Sequence, residues 1–354
     1  MRFRDWKIFL AIPFSAATVL APLALAEAPQ GVSAGAKVPP STISPTFARS
    51  WSAIIGRLTP PSPILAPDDL AGWAREQANT EKSLAGVSKL VPKMLGVTVT
   101  ERKIAGVPVL EVRPAGWRDD GRLLIYTHGG GFTSLSAHST LFSSGLMANA
   151  TGLRVLSIDY TLAPHAKWRT VMDQVTSIYR SVLKMGTQPT SIGLYGDSAG
   201  GSIAAGMVLK LRDESTPMPG ALILWSPWSD VTLTGDTYQT LAAWEPMLTI
   251  PSLTASAAAY ALPTEQKNPY VSPVYGDYAK GYPATLIQCG TREIFLSNCV
   301  RHYRAIRDAG GEAVLDMYEG MPHVFQMIGP GSPESAAAMA EVKRFWDTHL
   351  ARQR

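Results

Sequence analysis

"GLYGDSAGG", residues 193–201, carries an apolar run into a glycine cluster that holds one serine. Within it Gly196-Asp197-Ser198-Ala199-Gly200 has the form G-x-S-x-G, with strand-like residues before it and the helix-forming "SIAAGMVLKL" after it. A serine on a tight turn between a strand and a helix projects its hydroxyl, and the flanking glycines relieve the crowding of the backbone there. The same letters also spell an ordinary glycine-rich turn. The neighbouring elements must therefore support any chemistry read into Ser198.

Outward from that turn, apolar strand candidates lie at 122–127, 154–160, 190–196, 221–226, 284–290 and 313–319. Helical stretches around 136–150, 167–185, 198–213 and 297–309 separate several of them. Such alternation predicts an α/β fold, a mostly parallel sheet covered on both faces. "VTVTERKIAGVPVLEVRP" (97–114) reads as two further strands around an Ala-Gly turn. Two helices are expected earlier, in "FARSWSAIIGRL" (47–58) and in "DDLAGWAREQANTEKSLA" (68–85), the latter with Asp68 and Asp69 at its N-terminal end. Residues 27–95 thus form a lead-in with cap helices, and residues 96–354 a catalytic domain. A Pro-rich segment at about 227–282, containing "WEPMLTIPSLTASAAAYAL", interrupts the alternation as a cap insertion. "SPESAAAMAEVKRFWDTHLARQR" (332–354) reads as a terminal helix.

Composition sets outer limits. With 46% hydrophobic residues in 354, the chain can bury a sizeable core. Residues 1–26 have a basic start, an apolar run and the small-x-small pattern Ala24-Leu25-Ala26, so they read as a secretory signal peptide and imply a periplasmic or secreted protein. A retained anchor is the competing reading, since the run approaches membrane thickness. After cleavage no stable membrane insertion is expected. Arg2, Arg4 and Lys7 against Asp5 supply +2 of the formal +4, leaving a nearly balanced chain. No long basic cluster suggests nucleic acid as a partner. Cys289 and Cys299 do not make a disulfide scaffold, and spacing alone cannot establish a bridge between them. No CxxC, HExxH, P-loop or clear G-x-G-x-x-G fingerprint appears, and His138, His302 and His349 lack a ligand constellation. Neither a metal nor an organic cofactor is expected.

A serine hydroxyl needs a base. His323 in "EGMPHVF" follows the last strand on an expected loop, where the end of the sheet brings it toward Ser198. Glu293 in "QCGTREIF" follows the penultimate strand and gives the chain order serine, acid, histidine. Asp316, inside a strand, and Glu319, four residues before His323, are lesser rivals. "YTHGGGF" (126–132) supplies the remaining part. Acyl transfer develops negative charge on a carbonyl oxygen, and fixed N–H groups stabilise it. Gly130, Gly131 and Ala199 are the expected oxyanion donors, with His128 supporting the loop by hydrogen bonding.

Taken in order, "HGGGF", "DYTLAPHAKW", "GDSAGG", "SPWSDVTLTGDTY", "GTREIFLSNCVRHYRAIRDAGG" and "YEGMPHVF" resemble segments of the hormone-sensitive-lipase-like (bacterial family IV) branch of the α/β-hydrolases. The resemblance runs over roughly residues 50–350. It implies an eight-stranded, mostly parallel sheet with a helical cap, and hydrolysis of short to medium acyl carboxylic esters without a cofactor. Residue matching makes Ser198 the nucleophile and His323 the base. Glu293 stands where aspartate is more common, and His165 where many relatives have glutamate after the proline. Phe132, Leu135, Trp228 and Trp244 are candidates to line the substrate pocket, against ordinary core packing for each. The expected function is a serine carboxylesterase acting on a small-molecule ester or lactone. A lactonase or acyltransferase on the same machinery, and a catalytically weak ligand-binding protein, are the alternatives. The terminal strand and helix are a candidate homodimer surface.

Overall fold

The computed structural model describes residues 35–55 and 64–352, so the expected signal peptide over 1–26 lies outside the described residues. Eight strands form one sheet: β1 (Val97–Ile104), β2 (Val107–Pro114), β3 (Leu123–Thr127), β4 (Arg154–Ile158), β5 (Ile192–Asp197), β6 (Ala221–Trp225), β7 (Ala284–Gly290) and β8 (Ala313–Tyr318). Their order is β1-β2-β4-β3-β5-β6-β7-β8. β1 pairs with β2, and β2 with β4, antiparallel; every other pairing is parallel. The helices are α1 (Pro45–Ile54), α2 (Leu70–Ser88), α3 (Val91–Leu95), α4 (Leu141–Thr151), α5 (Trp168–Lys184), α6 (Ser198–Asp213), α7 (Thr237–Thr240), α8 (Ile250–Tyr260), α9 (Leu296–Asp308), α10 (Phe325–Ile328) and α11 (Pro333–His349).

The apolar runs explain why the middle of the sheet is double-sided. β3, β5 and β6 are buried at every position. Strand alternation then sends neighbouring residues into different layers. Leu123, Ile125, Leu194, Leu222 and Leu224 join the layer under α5, α6 and α9. Leu124, Tyr126, Tyr195, Ile223 and Trp225 join the layer under α4 and α11. Outer β1 is exposed over most of its length, which suits its charged "ERK".

Helix starts follow the capping rules. Ser44, Asp69 and Ser332 each accept a backbone N–H from the first turn of α1, α2 and α11. A third apolar cluster joins Phe47 and Trp51 of α1 to Met321, Phe325 and Ile328, the stretch that surrounds His323. Both cysteine thiols are free and buried, Cys289 on β7 and Cys299 on α9. Among the described residues no helix is long and apolar enough to cross a membrane.

Registers align the strand ends that matter. Thr127 at the end of β3 pairs with Gly196, and Asp197 at the end of β5 pairs with Trp225. The loops leaving β3, β5, β6, β7 and β8 therefore emerge at the carboxyl edge of the sheet, where open α/β sheets place their ligands.

Candidate active site

The chain leaves β5 at Asp197 in extended geometry and enters α6 at Ser198 with φ of 53°. A non-glycine residue in this left-handed region costs on the order of 1–3 kcal/mol, so its surroundings must hold it. They do so by contact. A Cβ on Gly196 would come within 2.3 Å of the Gly200 carbonyl oxygen, and one on Gly200 within 2.1 Å of the Thr127 carbonyl oxygen. Only glycine at both positions lets α6 turn back so tightly over β3. The Trp228 backbone N–H donates to Ser198 O at 2.9 Å and anchors the elbow to the loop after β6.

His323 and Glu293 meet across the loops after β8 and β7. His323 Nδ1 lies 2.8 Å from Glu293 Oε2, and both side chains are buried. Glu293 Oε1 accepts the Gly290 N–H at 2.8 Å and the Ser226 hydroxyl at 2.9 Å. Ser226 Oγ in turn accepts the Val324 N–H at 3.0 Å. Both oxygens of the carboxylate are thus engaged, and its direction is fixed. An imidazole that donates through Nδ1 is an acceptor at Nε2. Burial lowers the His323 pKa, but the hydrogen bond and charge of Glu293, with the charges of Glu245 and Asp197, outweigh it and hold the pKa above its ordinary 6.5.

The glycine loop is positioned from three sides. Asp197 Oδ1 accepts the Gly129 N–H at 3.2 Å and also the Tyr126 hydroxyl. Gly130 and Gly131 have φ of 107° and 61°, and a Cβ on Gly130 would lie 2.1 Å from Ser134 O. Among the described residues their two N–H groups have no protein acceptor. Ala199 sits in the first turn of α6, where N–H groups lack a helical acceptor. Gln77 on α2 donates to Thr133 O and Ala163 O, both at 3.0 Å, and Thr133 Oγ1 lies 3.2 Å from Ser256 Oγ on α8. His128 is fully buried, stacks on Tyr160 at 4.2 Å, and has its pKa lowered chiefly by burial. It meets the loop through Nδ1, which lies 2.8 Å from Gly129 O.

Ser198, His323, Gly130, Gly131 and Asp197 share the wall of one cavity of about 560 Å³. Trp73 of α2 and Leu253 and Ser256 of α8 line it from the other side. A serine on the cavity wall, a buried imidazole already oriented by a carboxylate, and N–H groups without a protein acceptor among the described residues form a constellation competent for acyl transfer.

Residues 124–327 match the family model of the α/β-hydrolase fold. This chain belongs to the α/β-hydrolase family. The hydrolase is 33% identical over 237 residues to an acetyl-hydrolase of Streptomyces hygroscopicus, covering 67% of this chain and 78% of the relative. Its structure matches that of an esterase called E25 with a TM-score of 0.80 at 31% identity, covering 89% of this chain and 97% of the other. It also matches an esterase from the bacterial hormone-sensitive lipase family, with a TM-score of 0.72 at 29% identity over 87% and 99% of the two chains. The branch suggested by the motifs is the one for which the last of these neighbours is named.

The hydrolase departs from the expected pocket. Of the four candidates only Leu135 reaches the cavity wall. Phe132 and Trp228 are fully buried in an aromatic stack with Tyr260 and Phe295, at centroid distances of 3.9 Å (Phe132–Tyr260), 5.3 Å (Phe132–Trp228) and 5.6 Å (Trp228–Phe295). Trp244 is 51% exposed and packs against the Arg292 guanidinium outside the cavity. Apolar area drove the first two inward behind the loops they were expected to decorate. His165 is exposed and takes no part.

Glu245 is the residue that motif reading missed. It is buried, and Oε1 accepts the Met247 and Leu248 N–H groups at 2.8 and 3.1 Å while Oε2 accepts the Ile294 N–H at 3.0 Å. Burial raises its pKa, against the opposing effects of His323 and those three N–H groups. Met247 and Leu248 line the cavity, and Ile294 follows the carboxylate that orients His323. One side chain therefore joins cavity wall and acid loop. Its neighbours "WEPMLT" contain no recognisable signal for that task.

Proposed function

We propose that the protein is a serine carboxylesterase acting on short to medium acyl esters, with Ser198 as nucleophile, His323 as base and Glu293 as the orienting acid. The observation that carries this reading is the buried 2.8 Å contact between His323 Nδ1 and Glu293, with His323 and Ser198 on one cavity wall. The family membership and the names of the relatives support the reaction class.

In this mechanism His323 Nε2 accepts the Ser198 proton as Oγ attacks the ester carbonyl carbon. The N–H groups of Gly130, Gly131 and Ala199 stabilise the oxyanion of the tetrahedral intermediate. His323 then protonates the departing alcohol and leaves an acyl-serine. Water, deprotonated by the same imidazole, attacks that ester; its collapse returns the proton to Ser198 and frees the carboxylic acid. Glu293 fixes the tautomer and stabilises the imidazolium at each stage.

The test is hydrolysis of a graded panel of acyl esters and lactones by the wild type and by Ser198→Ala. Serine-dependent turnover is expected, highest for chains that a cavity of about 560 Å³ can enclose. Undiminished turnover in folded Ser198→Ala would overturn the assignment. A preference for lactones, or transfer to added alcohols in place of water, would redirect it within the same acyl-enzyme chemistry.

A further inference from the structure

The α2 wall of the cavity presents Trp73 and Glu76, three residues apart and so on one face of the helix. Trp73 is buried, and its indole N–H donates to Ala66 O at 2.9 Å, which fixes the ring. Glu76 is half-buried and accepts a 3.4 Å hydrogen bond from the neutral amide of Asn79. Among the described residues it forms no ion pair with a lysine, arginine or histidine. Among the described residues no lysine or arginine lines the cavity, and its ionisable wall groups are Glu76, Asp197 and His323. Asp197 is already engaged by Tyr126 and Gly129. Among the described residues Glu76 is therefore a carboxylate without a cationic partner, one helical turn from a fixed indole, on the wall of the cavity that holds Ser198.

An aromatic ring beside an uncompensated carboxylate is the combination that attracts an organic cation. The ring quadrupole and the negative charge act in the same direction, and both strengthen as water is displaced. A substrate carboxylate there would meet like charge, with no lysine or arginine among the described wall residues to relieve it. We infer that the site selects esters bearing an ammonium or quaternary ammonium group over neutral esters of the same shape, with Glu76 as the residue that sets this preference. The inference rests on the esterase reading above and adds the charge of the substrate.

Isosteric pairs isolate charge from size. Choline butyrate differs from 3,3-dimethylbutyl butyrate only in nitrogen for carbon, which places the cation on the alcohol half. The ethyl ester of γ-trimethylammonio-butyrate and its carbon isostere place it on the acyl half. At low ionic strength the cationic member of at least one pair should have a kcat/KM about five- to twentyfold above its neutral partner. That ratio should fall toward one in Glu76→Gln, and in the wild type it should shrink as salt is raised. Ratios at or below one in both pairs, or a ratio that Glu76→Gln leaves unchanged, would overturn the inference. Turnover of the neutral members with a ratio of one rejects the charge preference alone. Absence of serine-dependent turnover of all four esters rejects the esterase reading and this inference together.

Discussion

His323 Nδ1 and Glu293 Oε2, 2.8 Å apart, share a proton whose position couples rate and stability to pH in opposite directions. Only the neutral imidazole can accept the Ser198 proton, so kcat/KM should fall as pH drops through the His323 pKa, with the break above 6.5. Because the folded pKa is raised, the group's contribution to stability is fully present below the unfolded value and lost as pH rises through the folded one. Activity should thus rise over the window in which this contribution disappears; a pH–rate profile and denaturant melts at matched pH check both limbs. Glu293→Gln should shift the break down and cut kcat by about a thousandfold or more. Glu245→Gln should move the break in the same direction by less, since Glu245 acts on His323 through its charge and not by a direct bond. Ser198, His323 and Glu293 were legible because each follows a strand in a recognisable local pattern. Glu245 was not, because its partner Ile294 lies 49 positions away and the contact forms only when loops from different strands meet.

The turn from β5 into α6 makes a sharper demand than its motif suggests. A methyl on Gly200 would meet two backbone oxygens, Thr127 O at 2.1 Å and His128 O at 2.4 Å, which cannot rotate away. Gly200→Ala should destabilise the fold by about 1–3 kcal/mol or more and remove most turnover, read by urea unfolding and kcat together. Helix α1 offers a second test. Trp51 is fully buried, donates through its indole N–H to Lys37 O at 2.9 Å, and has the Arg292 guanidinium 5.3 Å from its ring. Trp51→Ala should cost about 3–5 kcal/mol and lower kcat as well, since α1 packs on the Met321–Phe325 stretch that carries His323. The strands and long helices could be read from periodicity and from a cap such as Asp69. The placement of Phe132 and Trp228 could not, since an aromatic at a loop edge has the same local pattern whether it faces the substrate or the core.

Across the molecule, the sheet supplies a rigid edge, while the cavity is closed by parts distant in the chain. Gln77 fastens α2 to the glycine loop, and Ser256 fastens α8 to Thr133 of the same loop. Glu245 joins the segment before α8 to the loop of the acid. Amide exchange should register that joint directly. The Met247, Leu248 and Ile294 amides share one acceptor side chain, so their protection should be comparable in the wild type and be lost together in Glu245→Gln. If the segment before α8 swings away from the sheet, it strips the bond that steadies the residue next to Glu293. An opening on that side would therefore loosen the loop of Glu293 as well as widen access to the cavity. Entry on the α2 side, past half-exposed Glu76, would leave that bond and the His323–Glu293 contact in place.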